Sequence, residues 1–323
     1  MKQMVPRIFL IVLLFSFSSV GWAEEPLKIL TIGNSFAGNV LSDLPQMAKA
    51  AGKNVLFFGA NPGGCSMEKH AGWVKLDEAN AEDPAGKPYR SNFIPGKPGD
   101  KDHKYSLREV LQAEKWNFVT IQQLSNASFM PESYEPYATT LIDTIRKYAP
   151  QARIVVFETW AYREDYAGYG RDGLDQQKMF EGLTAAYEKL AADHGLQIIP
   201  VGYAFQKARA TDRWHFQYPD PDFDYKNPAP GTIPKQPGSL NMGWTWYTPP
   251  TGGKSLFVLD QKHGNAAGKL LAASVFYEAL LGEDVQKNTF LPEKLDAADA
   301  ADIRRIAHEA FASYQGPKVT MGK

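Results

Sequence analysis

Short apolar runs alternate with amphipathic stretches along most of this chain. Five runs rich in Val, Ile and Phe have the length and composition of buried strands. They are residues 28–32, 55–58, 118–121, 154–157 and 197–201. Helical spacing of apolar residues predicts helices over 40–51, 134–148, 175–194, about 265–281 and about 297–314. Strands and helices in alternation predict an α/β fold with a doubly wound parallel sheet.

Two stretches interrupt this rhythm. Residues 72–105 are polar and rich in Pro, Gly and Lys, and we expect a loop there. Residues 211–258 are dense in proline and aromatic residues. Disordered segments are poor in aromatic residues, so we expect the second insertion to be an ordered cover over a cleft. The alternative is that its aromatic side chains only pack against one another.

The first 23 residues have the composition of a secretory signal peptide. Lys2 and Arg7 precede an apolar run from Ile8 to about Val20, and small residues follow at 21–23. This run is too short for a membrane span, and no second long run follows. We therefore expect a mature chain from near Glu24 that is secreted or periplasmic and has no membrane anchor.

Composition narrows the choice of partners. The formal net charge of −1 does not indicate a nucleic-acid partner. Cys65 is the single cysteine, so an intrachain disulfide is impossible. The six histidines form no HxxxH or HExxH pair, so neither a metal site nor a cofactor is predicted. Nothing indicates the oligomeric state.

Ser35 lies in the segment "ILTIGNSFAGNV", where the first predicted strand turns into a helix. Ligands of open α/β sheets bind outside the carboxyl ends of the strands, which is where this serine falls. Gly33 permits a tight turn, and the helix behind Ser35 directs backbone N–H groups at an anion formed there. Ser35 is either a nucleophile or the N-cap of that helix.

A serine nucleophile needs a base within hydrogen-bonding reach. Asp260 and His263 share a predicted short loop before a helix, in the segment "LDQKHGN". A three-residue offset in a turn brings a carboxylate under the imidazole ring, where it orients the ring and stabilises its protonated form. The alternative is that His263 is an ordinary surface histidine near a helix start.

Acyl transfer also needs hydrogen-bond donors for the developing oxyanion. Gly63 and Gly64 follow the second strand and can offer unobstructed backbone N–H groups. Gln122 and Gln123 end the third strand, and their side-chain amides are further candidates. The alternatives are an ordinary glycine turn and solvated glutamines.

These segments resemble those of the SGNH (GDSL-like) hydrolase superfamily, and more narrowly the branch with GNSF in its first block. The resemblance covers nearly the whole mature chain, 24–323, through GNSF, PGGCS, IQQLS, VFETWAY and DQKH. It implies a three-layer α/β/α, flavodoxin-like fold with about five parallel strands, interrupted by the insertions at about 72–105 and 211–258. It also implies Ser35 as nucleophile, His263 as base and Asp260 as its orienting acid.

The oxyanion hole implied by this resemblance uses backbone N–H groups of Ser35 and of Gly63 or Gly64. The sequence departs from the superfamily pattern in two places. Asn34 stands where an aspartate is usual, at a structural position. The third block lacks the usual Gly-x-Asn-Asp, which leaves Gln122, Gln123 and Asn126 as alternative third donors.

Several further residues are candidate substrate contacts. Aromatic rings and hydroxyl-binding polar groups are typical of sugar sites, against the alternative that these side chains simply pack. The candidates are His70, Glu158, Trp160, Tyr162, Trp244 and Trp246.

Together these features predict an exported serine esterase that removes a small O-acetyl or methyl ester from a carbohydrate. A lipase, thioesterase or acyltransferase using the same triad is the alternative enzyme. A glycan-binding protein without turnover is the alternative from another class.

Overall fold

We describe the chain from a computed structural model that covers residues 25–90, 103–218 and 220–320. The predicted signal peptide, residues 1–23, and the expected mature start near Glu24 lie outside the described residues. So does the part of the first insertion that spans 91–102.

The structure contains parallel strands of a central sheet and two small antiparallel pairs. The strands are β1 (Leu27–Ile32), β2 (Val55–Ala60), β3 (Tyr89–Arg90), β4 (Lys104–Tyr105), β5 (Phe118–Ile121), β6 (Arg153–Glu158), β7 (Gln197–Pro200), β8 (Asn241–Tyr247) and β9 (Leu256–Gly264). The helices are α1 (Ser35–Ala50), α2 (Met67–Ala79), α3 (Leu107–Gln112), α4 (Tyr137–Tyr148), α5 (Gln176–His194), α6 (Val201–Arg209), α7 (Ala266–Leu281) and α8 (Ala297–Ser313).

The central sheet has five parallel strands in the order β2–β1–β5–β6–β7. This is the doubly wound, flavodoxin-like order, in which the direction of winding reverses between β1 and β5. All five strands coincide with the apolar runs in the sequence, and the predicted α/β fold is confirmed. β7 gains a further neighbour, because Ile198 N–H donates to the Pro317 carbonyl and the Ile198 carbonyl accepts from Val319 N–H.

Helices cover both faces of this sheet. On one face α7 packs against α1, α6 and α8, and on the other α2 packs against α3 and α4. α5 lies beside α4, since the Arg146 guanidinium donates to the His194 carbonyl at 3.3 Å. Because β1, β2 and β5 run in parallel, their carboxyl ends bring the turns after them to one edge of the sheet.

The two insertions contain more regular structure than the sequence predicts. The first was expected to be a loop from residue 72, but α2 continues to Ala79 and the β3–β4 pair follows. The second contains β8 and the start of β9. The helical period of α2 is hidden in the sequence because its buried side includes His70 and Asp77 as well as apolar residues. Within the described ranges, no helix has the length and apolar character needed to cross a membrane.

Candidate active site

Ser35 lies at the carboxyl edge of β1 as the first residue of α1. The helix is capped by Asn34, whose Oδ1 accepts a hydrogen bond from Phe36 N–H at 3.1 Å. Ser35 is therefore not the N-cap, which contradicts that alternative, and its partly buried hydroxyl is available for other bonds. Asn34 also donates to the Cys65 carbonyl at 3.0 Å, which ties the turn after β2 to the Ser35 turn.

The structure brings Ser35, His263 and Asp260 into one hydrogen-bonded chain. His263 Nε2 lies 2.8 Å from Ser35 Oγ, and His263 Nδ1 lies 2.7 Å from Asp260 Oδ2. Burial alone would raise the pKa of Asp260, but hydrogen bonds from the His263 side chain and backbone outweigh it and hold the pKa at about 2. An ionised carboxylate only accepts hydrogen bonds, so the proton sits on Nδ1 and Nε2 accepts from the Ser35 hydroxyl.

A break in the β8–β9 pairing makes this geometry possible. Residues i and i+3 of a regular strand lie about 10 Å apart and on opposite faces. Here Gly243 pairs with Asp260 while Asn241 pairs with Gly264, so three residues of β9 bulge outward opposite one of β8. Asp260 Oδ1 accepts the backbone N–H groups of both Lys262 and His263, at 3.0 Å each. Asp260 and His263 thus share a bulged strand end rather than the loop we predicted.

Neighbouring side chains fix the backbone on both sides of His263. The Lys262 carbonyl accepts hydrogen bonds from Trp160 Nε1 at 2.8 Å and Asn241 Nδ2 at 3.0 Å. On the other side, Gly264 N–H donates to Asn39 Oδ1 at 2.7 Å. Asn39 stands one helical turn after Ser35 on α1, so the helix that carries the nucleophile also positions the base.

The predicted oxyanion donors are backbone N–H groups in the turns after β1 and β2. Among the described residues, those of Ser35, Gly63 and Gly64 have no hydrogen-bond partner. Gly63 and Gly64 are exposed in a turn closed by Cys65 N–H and the Pro62 carbonyl, and Gly64 has a φ of +63°. Their role as donors stays a prediction.

The two glutamines predicted as further donors are buried, and their side-chain NH₂ groups already donate hydrogen bonds within the protein. Gln123 donates to the carbonyl and hydroxyl oxygens of Ser133 and accepts from Met67 N–H. Gln122 donates to Asn34 Oδ1 at 2.9 Å and packs so closely on Gly33 that an added Cβ would lie 2.6 Å from it. Only 2 % of Gln122 and 1 % of Gln123 is exposed, so the prediction that either reaches substrate is wrong. Asn126 is exposed in the turn beyond them.

Three of the predicted substrate contacts are inaccessible. Glu158 and Trp160 are fully buried and Tyr162 nearly so. Glu158 accepts from the Thr184 hydroxyl and Tyr203 N–H, and Tyr162 shares a hydrogen bond with Ser125. We correct these predictions, because a ligand cannot touch side chains enclosed in the protein.

Trp160 supports the base instead of binding sugar. Its ring is stacked between Phe36, at 4.2 Å between centroids, and Phe205, at 4.6 Å. The stack aims the indole N–H at the Lys262 carbonyl. The alternation of side chains after β6 indicated the direction of the Trp160 side chain. The residues that it contacts come from distant segments and are known only from the fold.

His70, predicted as a substrate contact, is also fully buried, and we correct that prediction. Its Nε2 lies 2.8 Å from the Gly33 carbonyl, and its Nδ1 lies 2.6 Å from the Tyr89 hydroxyl. Burial lowers the pKa of His70 to about 4, so near neutral pH the ring donates from Nε2 to Gly33 and accepts from Tyr89. His70 therefore stabilises the turn between β1 and α1, on the side that faces the protein interior.

Trp244 and Trp246 lie partly exposed on β8, farther along the hairpin from His263. Trp244 stacks on Phe257 at 4.7 Å, and Trp246 Nε1 donates to the Thr232 carbonyl. The aromatic residues of the second insertion thus pack on one another, as the alternative reading expected, yet both indoles keep accessible surface. Their contact with substrate stays a prediction.

One group of side chains in the described part of the chain has metal-ligand chemistry. Potential ligand atoms of Glu278, Asp284 and His308 lie within 4.8 Å of one another. His308 Nδ1 already pairs with Glu278 Oε1 at 2.8 Å, and Glu278 Oε1 also accepts from Val285 N–H. This group lies near the far end of α7 from the triad and contributes nothing to it.

Comparison with known proteins gives the chain a family. The family model described as "Domain of unknown function (DUF4886)" matches residues 28–218, more than half of the chain. A search of curated proteins found no match.

Several solved structures are similar to this chain. A DUF4886 family protein from Bacteroides uniformis ATCC 8492 is 24% identical, with a TM-score of 0.67 over 92% of this chain and 98% of that one. A proposed SGNH hydrolase from Slackia heliotrinireducens is 20% identical, with a TM-score of 0.47 over 79% and 98%. A proposed GDSL-like lipase from Parabacteroides merdae ATCC 43184 is 14% identical, with a TM-score of 0.43 over 80% and 97%.

The likeness to the Bacteroides uniformis protein, at 24% identity, concerns the fold and says nothing about activity. The family match covers β1 to the end of α6, including Ser35 and the turns around it, and stops before His263. The chain belongs to the DUF4886 family.

Proposed function

We propose that this chain is an exported serine esterase that hydrolyses a small O-acetyl or methyl ester on a carbohydrate. One observation carries the proposal: Ser35 Oγ lies 2.8 Å from His263 Nε2, and His263 Nδ1 lies 2.7 Å from Asp260. This is the arrangement that makes a serine hydroxyl nucleophilic near neutral pH.

The reaction has two steps. Ser35 Oγ attacks the ester carbonyl carbon while His263 Nε2 takes the hydroxyl proton, and Asp260 stabilises the imidazolium that forms. The free N–H groups of Ser35, Gly63 and Gly64 hold the oxyanion. The alcohol then leaves with the proton from His263, and a water molecule activated by the same ring releases the acyl group.

The carbohydrate part of the proposal depends on the second insertion. Trp244 and Trp246 leave indole surface exposed beside polar loop residues, a surface suited to sugar rings. A methyl ester of a uronic acid fits the same chemistry, with the sugar on the acyl side. The proposal of export rests on the composition of residues 1–23. Sequencing the N-terminus of the protein recovered from culture medium or periplasm tests it.

The decisive experiment compares wild type with Ser35→Ala. Wild type is expected to release acetate or methanol from a panel of acetylated and methyl-esterified polysaccharides, and to be labelled by a fluorophosphonate. S35A is expected to do neither while keeping its circular dichroism spectrum and melting temperature. Activity retained by S35A, or no labelling of wild type at Ser35, would overturn the proposal.

The alternative enzymes are separated by acyl length. Rates on p-nitrophenyl esters are expected to fall steeply beyond acetate and propionate for the proposed esterase. Higher rates on long acyl chains would instead identify a lipase or thioesterase with the same triad.

A further inference from the structure

Lys262 lies in β9 between the two triad residues Asp260 and His263. Its backbone is fixed, because its N–H donates to Asp260 Oδ1 and its carbonyl accepts from Trp160 Nε1. Its side chain takes no part in those bonds. Among the described residues, the Lys262 ammonium has neither an ion pair nor a hydrogen bond. The described part of the chain thus places a cation directly beside the base without a counterion.

Two tyrosine rings hold this cation. The Lys262 Nζ lies 5.1 Å from the centroid of the Tyr162 ring and 5.4 Å from that of the Tyr166 ring, within the range of about 6 Å for a cation–π contact. The rings pack edge to face, so they form a defined support for the ammonium but do not neutralise its charge. The side chain is partly buried and its Nζ keeps accessible surface, so a ligand can reach it.

Other partly buried lysines have their partners within the chain. Lys28 and Lys87 each form an ion pair with a glutamate, and the Lys318 ammonium donates to two backbone carbonyls. Partial withdrawal of a cation from water is unfavourable unless an anion or an acceptor replaces the lost water. Lys262 has neither among the described residues, which indicates that its partner comes from outside the chain.

The Lys262 ammonium lies close to the turn after β5. The hydroxyl of Tyr162, whose ring supports the ammonium, lies 2.8 Å from Ser125 Oγ in that turn. The Gln123 carbonyl of the same turn accepts a hydrogen bond from Asn34, which precedes the nucleophile. Burial raises the pKa of Tyr162 and the charge of Asp260 raises it further, so this hydroxyl is also within electrostatic reach of the triad. The ammonium, this turn and the partly exposed triad therefore border one another at the carboxyl edge of the sheet.

We propose that Lys262 binds an anionic group of the substrate, so that the carbohydrate is an acidic one. The assignment to a substrate rests on the proposed function, whereas binding of an anionic sugar at Lys262 can be measured without it. The Cα atoms of Lys262 and His263 are about 3.8 Å apart, so the anion belongs to the esterified sugar unit or to its neighbour. Carboxylate and sulfate oxygens both accept hydrogen bonds from an ammonium group. Lys262 thus determines specificity and takes no part in breaking the ester bond.

The test compares the hydrolysis of O-acetylated oligosaccharides that differ only at C6. The backbones are α-1,4-linked galactose and β-1,4-linked glucose, and in each of them C6 is a hydroxymethyl group, a carboxylate or a sulfate ester. We expect wild type to have a kcat/KM at least tenfold higher on a charged oligomer than on the neutral one with the same backbone. High salt is expected to reduce this preference, because it screens an accessible ion pair.

Two variants of Lys262 separate its charge from its packing. Lys262→Met keeps an unbranched apolar stem against Tyr162 and Tyr166 but removes the charge, and we expect the preference for the charged oligomer to fall at least tenfold. Lys262→Arg keeps a cation over the same rings and is expected to retain most of the preference.

Lys115→Met is the matched control. Lys115 is exposed and lies just before β5, at the opposite edge of the sheet from the triad. The variant removes the same charge from the protein, so its preference is expected to equal that of wild type. An equal fall in K115M and K262M would show a general effect of net charge and would overturn the role of Lys262.

The outcomes separate this proposal from the esterase. If wild type hydrolyses charged and neutral oligomers equally, or if K262M keeps the preference, Lys262 does not bind an anion and the esterase stands. A higher kcat/KM on the carboxylate identifies a uronate, and one on the sulfate ester identifies a sulfated sugar.

If no oligomer is hydrolysed, the proposed function fails and binding decides the role of Lys262. The unesterified carboxylate and sulfate oligomers are then titrated into wild type and K262M and followed by NMR. Binding that is at least tenfold weaker in K262M supports the anion site. No binding, or equal binding by both proteins, overturns it.

Discussion

Individual side chains in the site divide into those that meet the substrate and those that hold them in place. Ser35 and His263 are partly exposed, whereas Asn34, His70 and Trp160 are fully buried. Each buried side chain hydrogen-bonds a backbone group within two residues of Ser35 or His263. The Ser35 hydroxyl and the His263 imidazole are therefore positioned by hydrogen bonds from buried side chains to the backbone, and a ligand does not reach those side chains.

Asp260→Asn tests the proton arrangement within the triad. The amide introduced at position 260 would donate a hydrogen bond to His263 Nδ1, so the ring proton moves to Nε2. A protonated Nε2 cannot take the proton of the Ser35 hydroxyl. We expect kcat for acetyl ester hydrolysis to fall by about 10⁴-fold with the fold intact. The exposed Asp222→Asn variant is the control and should behave as wild type. A loss smaller than tenfold in D260N would contradict this role for Asp260.

Glu158→Gln tests the cost of a buried carboxyl group. Burial raises the pKa of Glu158 from 4.5 to about 7, although hydrogen bonds from Thr184 and Tyr203 oppose the shift. The folded state then holds a proton that the unfolded state releases, so wild-type stability falls as pH rises from about 4.5 to 7 and levels above it.

We expect E158Q to gain about 3 kcal/mol over wild type between pH 4.5 and pH 8. Urea unfolding across that range measures the difference. A constant difference at every pH would show that Glu158 titrates alike in both states.

At the scale of elements, contacts between segments distant in sequence determine the site. The β3–β4 pair supplies Tyr89, which fixes His70 on α2, and His70 in turn contacts the turn between β1 and α1. The bulge in β9 turns Asp260 under the ring of His263. The bulge itself depends on β8, whose Gly243 and Asn241 pair with β9 on either side of it.

His70 variants test the brace behind the nucleophile. His70→Gln keeps an N–H that can reach the Gly33 carbonyl, whereas His70→Ala removes both bonds. We expect H70A to lower kcat on a small acetyl ester at least tenfold with little change in KM, and H70Q to recover part of that loss. Tyr89→Phe should cost about 1 kcal/mol of stability. Equal kcat in H70A and wild type would limit His70 to a packing role.

Elements with a strong internal pattern were predictable from the sequence, and those shaped by neighbours were not. The five strands of the sheet are continuous apolar runs, and all were found at their predicted places within a few residues. α2 was missed because its buried side contains a histidine and an aspartate. The alternation of Glu158, Trp160 and Tyr162 indicated that their side chains point in one direction. It did not indicate that this direction leads into the protein interior and not into a cleft.

At the scale of the whole molecule, the C-terminal segment covers one edge of the central sheet. The C-terminal segment crosses back to β7, where Ile198 exchanges two backbone hydrogen bonds with Pro317 and Val319. Only 1 % of Val319 is exposed there. This segment covers a strand edge that would otherwise present unpaired backbone groups.

A truncation after Gly316 tests this edge. It removes two backbone hydrogen bonds and the burial of Val319, and we expect a loss of roughly 3 kcal/mol of unfolding free energy. We also expect a greater tendency to aggregate, measured by light scattering. Removing only residues 321–323 is the control and should change neither. An unaltered urea midpoint after the longer truncation would contradict the prediction.

The contact between Asn39 and Gly264 has a consequence for motion in the site. One helix, α1, both carries Ser35 and binds the backbone next to His263. A displacement of α1 relative to the sheet therefore moves the hydroxyl and the imidazole together. The separation of these two groups is thereby protected against thermal shifts of the helix as a whole.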